Sequence, residues 1–302
     1  MSISFDATGK IVVGTDLSGR ATIAVEWAAD RAVERGKDLV ILTALPEVPI
    51  PHRNSLYGAM AAGDWPSRLH DEARHNLKKL RDTIVAKHPG LNIEARIEEA
   101  MGSYALAQAS KTAELVVIGA RGQTAPLRAR ALGGTALAVI AHAHGPVAVI
   151  HDQALGIPGG PVIVGMDDSP ESEGAFRYAA TEALARGVRL HAVHAVDLTT
   201  WTLGLAEAGI DIAAVVAGIK GHMSDLIDNY ASEYPGLEYH LEVKPDRPAS
   251  ALITASGEAS LVVVGARGLG GFAGLLLGST SRAVVRETLC PVIVVRAPKK
   301  KR

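Results

Sequence analysis

Three glycines and two hydroxyl residues stand at a spacing that suits an anion: Gly265-x2-Gly268-x9-Gly278, followed at once by Ser279 and Thr280. A loop poor in side chains leaves its backbone N–H groups unshielded. A helix starting at its end adds free N–H donors and a partial positive charge, and together these favour phosphate. Ser279 or Thr280 is expected to cap that helix while offering a hydroxyl to the anion. A carboxylate, Asp167, closes the apolar run of PVIVGMDDS, where it can accept hydrogen bonds from ligand hydroxyls or cap the helix that follows.

Both features occur twice. KIVVGTDLS, with Gly14 and Asp16, recurs 151 residues later as PVIVGMDDS, with Gly165 and Asp167. AELVVIGARG, with Gly119, Arg121 and Gly122, recurs 146 residues later as ASLVVVGARG, with Gly265, Arg267 and Gly268. GPVAVI recurs as CPVIVV, so nearly the whole chain is a duplication. The Pro/Gly-rich joint DQALGIPGGP divides it into domains over residues 1–152 and 160–302.

Each copy alternates buried-strand runs with helical patterns. In the first, strands are predicted over 11–16, 39–45, 92–98, 115–119 and 147–150, and helices over 19–35, 66–87, 104–112 and 135–143. In the second, strands are predicted over 162–167, 189–196, 238–243, 261–265 and 292–295, and helices over 171–186, 210–232, 249–258 and 279–288. Parallel neighbours need crossovers, and right-handed crossovers place helices on both faces. The fold class is therefore α/β, two tandem doubly wound, Rossmann-like domains, each with a five-stranded parallel sheet. Ligands in such sheets bind beyond the carboxyl ends of the strands, where the strand order reverses. The fifth strands are apolar and short, and as sheet edges they need cover.

The glycine spacing of the second copy resembles the ATP-binding pattern of the universal stress protein family, G-x2-G-x9-G-[S/T] between the fourth strand and fourth helix. The resemblance covers essentially the whole chain and implies the strand order 3-2-1-4-5, which brings the aspartate and the glycine loop to one crevice. It further implies that Asp16 and Asp167 lie near the ribose of ATP, and that Ala44 and Ala195 offer main-chain groups to adenine. Ala266, Arg267 and Gly268 would lie near ribose and phosphates, and Gly278, Ser279 and Thr280 would hold the terminal phosphates, with Mg²⁺ as a further ligand. The first copy departs from the pattern. Leu132 stands where a glycine is wanted, and Gly133, Gly134 and Thr135 come one residue late. That insertion is expected to displace the donors, and Gly134 lacks the hydroxyl of Ser279, so the first site is expected to be weaker or empty.

The rest of the sequence narrows the function. A formal net charge of -1 gives no general attraction to nucleic acid or an anionic membrane. The lone cysteine, Cys290, excludes an intrachain disulfide and suits a cytoplasmic setting. No stretch reads as a membrane span or a signal peptide. No G-x4-G-K-[S/T] is present, and no nucleophile–base pair or metal cluster stands out; His191 and His194, three apart on a strand, point to opposite faces. The expected function is ATP binding in a regulatory, stress-protective protein, a homodimer by family resemblance. A slow ATPase using the same crevice and a nucleotide-free interaction protein are the alternatives. The loops before the second helix of each copy, 46–65 and 197–209, are candidate lids or partner surfaces.

Overall fold

The computed structural model describes residues 3–45, 65–122, 132–152, 156–197, 211–269 and 276–296. Most of both candidate lids, and Pro126, Arg128 and Arg130 of the first glycine loop, lie outside the described residues. The chain separates into two compact units, one within residues 1–147 and one made chiefly of Ala148–Arg302.

The first copy runs β1 (Ile11–Gly14), α1 (Gly19–Arg35), β2 (Leu39–Ala44), α2 (Trp65–Lys87), β3 (Ile93–Glu98), α3 (Gly102–Ala109), β4 (Leu115–Gly119), α4 (Gly134–His142) and β5 (Val147–Ile150). The second repeats it with β6 (Val162–Met166), α5 (Pro170–Arg186), β7 (Leu190–Ala195), α6 (Ile212–Ala231), β8 (Tyr239–Lys244), α7 (Pro248–Ala255), β9 (Leu261–Gly265), α8 (Ser279–Glu287) and β10 (Val292–Val295).

The strand order is β3-β2-β1-β4-β5 in the first copy and β8-β7-β6-β9-β10 in the second, which is 3-2-1-4-5 twice. β1 pairs in parallel with both β2 and β4, and β6 with both β7 and β9. The order therefore reverses between β1 and β4, and between β6 and β9. Central strands carry apolar residues toward helices on both faces, so Ile11–Val13, Leu39–Leu42, Leu115–Val117 and Leu261–Val264 are buried without alternation. All four residues of β5 and of β10 are buried too, and Ala148–Ile150 group with the second unit rather than the first.

The helix that follows the first strand is set the same way in each copy. Ser18 Oγ accepts from Ala21 N at 3.2 Å, and Ser169 Oγ accepts from Ser172 N at 3.1 Å. The same helices end on Gly36 (φ 60°) and Gly187 (φ 63°), left-handed C-caps that only glycine adopts without strain. Serine is thus the N-cap, and the aspartates two residues earlier are left for another task.

Cys290 is fully buried beside β9, and burial pushes its thiol up to about 12. At pH 8 only about one thiol in ten thousand is ionised, and the thiolate is the reacting species. Alkylation of native protein by iodoacetamide at that pH is expected to proceed only as fast as the chain opens. Mass-spectrometric labelling across a urea gradient checks this: modification should follow the unfolding transition seen by circular dichroism.

Candidate functional site

The strands that flank the reversal in the second copy end where the chemistry gathers. The sequence placed Asp16 and Asp167 within the first strand of each copy. In the structure β1 stops at Gly14 and β6 at Met166, so both carboxylates stand in the strand-to-helix turn. The residue after each is left-handed, Leu17 at φ 60° and Asp168 at φ 59°. For a non-glycine residue this costs about 1 kcal/mol or more. The strain is stored at the crevice, where it re-aims the chain from strand to helix.

Asp167 is held from both sides. Its Oδ1 accepts from Ser169 Oγ at 2.5 Å and from Ser169 N at 3.2 Å, and its Oδ2 accepts from Leu269 N at 3.0 Å. The last bond reaches from the first turn of the copy to the glycine loop, 102 residues later. It accounts for Gly268: a Cβ there would overlap Asp167 Oδ2, and Gly268 has no left-handed φ that would otherwise call for glycine. In the first copy the approach is looser. A Cβ on Gly122 would lie 3.1 Å from Asp16 Oδ2, and Asp16 Oδ1 accepts from Ser18 N at 3.0 Å. Gly265 is fixed by a different neighbour, since a Cβ there would come within 2.9 Å of the Glu171 backbone.

The start of α8 corrects one expectation. Neither Ser279 nor Thr280 caps it; Gly278 occupies the N-cap, with no side-chain hydrogen bond to the first turn. Gly278 N is instead drawn to Ala266 O at 2.8 Å, which fastens the helix start to the end of β9. Ser279 and Thr280 are then the first two helical residues, and the first-turn amides are not screened by a capping side chain. Ser281 adds a contact the sequence did not reveal: its buried hydroxyl donates to Gly265 O at 2.6 Å.

The first copy corrects a second expectation. The extra residue does not displace the helix start. Gly133 N donates to Ala120 O at 2.9 Å, as Gly278 N does to Ala266 O, and Gly133 is the N-cap of α4. What differs is chemistry: Gly134 and Ala136 stand where Ser279 and Ser281 stand, so two hydroxyls are missing and only Thr135 matches Thr280.

In the second unit these parts enclose a cavity of about 520 Å³. Asp167, Arg267, Gly268, Ser279 and Thr280 form its polar side, and Met166, Val193, Ala195, Pro248, Leu252 and Val264 its apolar side. Its size and mixed lining are those of a small-molecule pocket. Ala195, the last residue of β7, lies on its wall; Ala44 is the last residue of β2. Gly119 ends β4 as Gly265 ends β9, with Arg121 and Arg267 two residues on. Of the second-copy residues predicted for the site, all but Ala266 line the one cavity.

At the mouth, Arg267 Nη2 donates to Glu171 Oε1 at 2.8 Å. Burial holds the nearby Arg296 guanidinium below the usual arginine range, Arg267 adds to this, and Glu171 opposes it. Neither His191 nor His194 lines the cavity. His194 Nδ1 contacts Met166 O at 2.8 Å, while His191 lies 3.0 Å from Glu242 Oε2 on the other face of the strand. Among the described residues no cluster of three or more His, Cys, Asp or Glu could hold a metal ion, and no helix is long and apolar enough to cross a membrane.

This geometry has known relatives. The model of the universal stress protein family matches residues 8–151 and again 160–296. The chain belongs to the universal stress protein family. It is 32% identical over 303 residues to a universal stress protein of Mycolicibacterium smegmatis, covering 95% of this chain and 96% of that one. It is 35% identical over 300 residues to a universal stress protein of Mycobacterium tuberculosis, with the same coverage of each. A universal stress protein from Archaeoglobus fulgidus, known from a crystal structure, aligns with 97% of this chain and 100% of its own at a TM-score of 0.72 and 21% identity, a likeness of fold.

Proposed function

We propose that this universal stress protein is an ATP-binding regulatory protein that holds one nucleotide per chain, in the crevice between β6 and β9. The observation that carries the reading is the convergence of Asp167, the Gly265–Gly268 turn and the uncapped first turn of α8 on one cavity. In this reading the phosphates lie against the first-turn amides of α8, with Ser279 and Thr280 supplying hydroxyl donors. Asp167, already oriented by Ser169 and Leu269 N, accepts from the ribose hydroxyls. The apolar wall of Val193, Ala195 and Leu252 takes the base. The triphosphate oxygens and water would supply most of the ligands of Mg²⁺, since no cluster of carboxylates or histidines among the described residues would hold it.

The first crevice keeps the turn and the helix start but lacks the hydroxyl of Ser279, a donor worth roughly 0.5–1.5 kcal/mol, and the Ser281 hydroxyl that braces Gly265 O in the second copy. Occupancy of the second crevice is the regulatory variable, altering the surface around the glycine loop that partners meet.

Calorimetric titration with ATP and Mg²⁺ tests the reading. One site per chain is expected. Asp167→Ala is expected to weaken it more than tenfold, because hydrogen bonds to a charged group are worth about 1.5–3 kcal/mol each. No measurable binding, or affinity indifferent to Asp167→Ala, would contradict it.

A further inference from the structure

The one arginine that lines the cavity, among the described residues, already has a partner. Arg267 lines the cavity, yet its Nη2 is bonded to Glu171 at 2.8 Å. Glu171 is the second residue of α5, and its side chain is only 16% exposed. Its backbone lies against Gly265 at the end of β9, so the carboxylate cannot retreat far from the mouth. A phosphate entering the cavity meets a cation whose charge is largely neutralised, with a fixed anion behind it.

The duplication supplies a comparison within the molecule. Ser18 caps α1 as Ser169 caps α5, and two residues on, Arg20 stands where Glu171 stands. The first turn of α1 carries no acid, while that of α5 carries Glu171 and Glu173. Arg121 and Arg267 match, since both belong to the repeated GARG. The two copies thus keep the same loop arginine and differ in the sign of the charge at the second position of the preceding helix. An acid is common in the first turn of a helix for reasons of the helix dipole alone. The dipole does not require this acid to reach the loop arginine.

We infer that Glu171 is a built-in competitor for Arg267 that sets the charge preference of the second crevice, restraining its affinity for the triphosphate relative to nucleotides with fewer phosphates. The inference rests on the nucleotide reading of the cavity and adds to it the residue that decides between ATP and AMP. The ion pair must part, or share its guanidinium, before a phosphate is bound bidentately. That cost and the repulsion from the carboxylate grow with ligand charge and vanish for adenosine.

The test is Glu171→Gln, which keeps the shape and a hydrogen-bonding oxygen but removes the charge. Affinities of the full chain for ATP, AMP and adenosine are measured by calorimetry at low and high salt. Binding at the second crevice is identified as the part lost in Gly268→Ala. Removing a unit charge beside the phosphates, in a medium between protein surface and water, is worth on the order of a factor of ten. ATP is expected to bind about tenfold tighter to Glu171→Gln, AMP about twofold, and adenosine equally. The gain should shrink at 1 M salt. Glu171→Arg, which gives the second crevice the charge of Arg20, is expected to raise the ATP-to-AMP preference further.

An unchanged or lower ATP-to-AMP preference in Glu171→Gln, with wild type still binding ATP, overturns this inference alone. If neither protein binds any of the three ligands, the nucleotide reading falls and this inference with it. Equal tightening of all three ligands, adenosine included, assigns Glu171 a structural role and also overturns the inference.

Discussion

Gly268→Ala is expected to lower the affinity for ATP about a hundredfold while leaving the fold intact. The added Cβ takes the place of Asp167 Oδ2, so the carboxylate must swing away and give up Leu269 N. The lost Leu269 bond costs stability, while turning the carboxylate off both ribose hydroxyls costs affinity, two hydrogen bonds to a charged group of about 1.5 kcal/mol or more each. Gly268 lies in an exposed turn, so the melting temperature should move by only a few degrees. Gly122→Ala is the internal control. Its Cβ would stand 3.1 Å from Asp16 Oδ2, a contact that a few tenths of an ångström relieve, and it lies in the crevice proposed to be empty. Calorimetry on both variants checks the pair: a large loss for Gly268→Ala beside near-wild-type affinity for Gly122→Ala. Equal effects, or none, would contradict the assignment of the nucleotide to the second crevice.

Phe176→Ala is expected to destabilise the protein by about 3–5 kcal/mol, the cost of deleting a buried aromatic ring and leaving a cavity. Phe176 is fully buried on α5, and its ring tilts against Tyr230 of α6 at 5.6 Å between centroids. This contact docks two helices of the second unit, and α5 carries Ser169 at its N-cap and Glu171 in its first turn. In a molecule with 4% aromatic residues, few single side chains fill as much space. Urea denaturation followed by circular dichroism should show the loss, with the first unit unfolding near its wild-type midpoint. Saturating ATP is expected to restore part of the lost stability, since binding to the native state alone stabilises it by mass action.

The strands were legible because nothing competes with them. Runs such as LVVVG and IVVG are too apolar and β-branched for a surface, and the duplication repeats each at the same place. The place of the crevice came from the family resemblance, which implied the order 3-2-1-4-5, and the structure has that order, with β1 and β6 each carrying a neighbour on both sides. The helix start at Ser279 was read correctly, but its cap was misassigned for a physical reason. Serine is favoured at an N-cap, but Gly278 N is committed to Ala266 O, and this tie fixes where the helix begins. The one-residue insertion of the first copy was misjudged for the same reason: spacing counted along the loop does not show that Gly133 is anchored to Ala120.

Glu171 and Ser281 were not singled out, because neither belongs to the glycine spacing. A comparison of the two copies held the signal, since Arg20 and Ala136 stand at the matching positions. The role of Asp167 as acceptor for Leu269 N was equally hidden, as it joins residues 102 apart. Only the glycine at 268, kept without a left-handed φ, hinted that something must approach closely there.

Native mass spectrometry of the intact chain with ATP and Mg²⁺ tests the central claim most directly. One ATP per chain is expected for the wild type, retained in Gly122→Ala and absent in Gly268→Ala. Two ATP per chain would contradict the reading of the first crevice. A chain that stays bare at millimolar ATP, or that keeps its single ATP in Gly268→Ala, would contradict the claim that the second crevice binds the nucleotide.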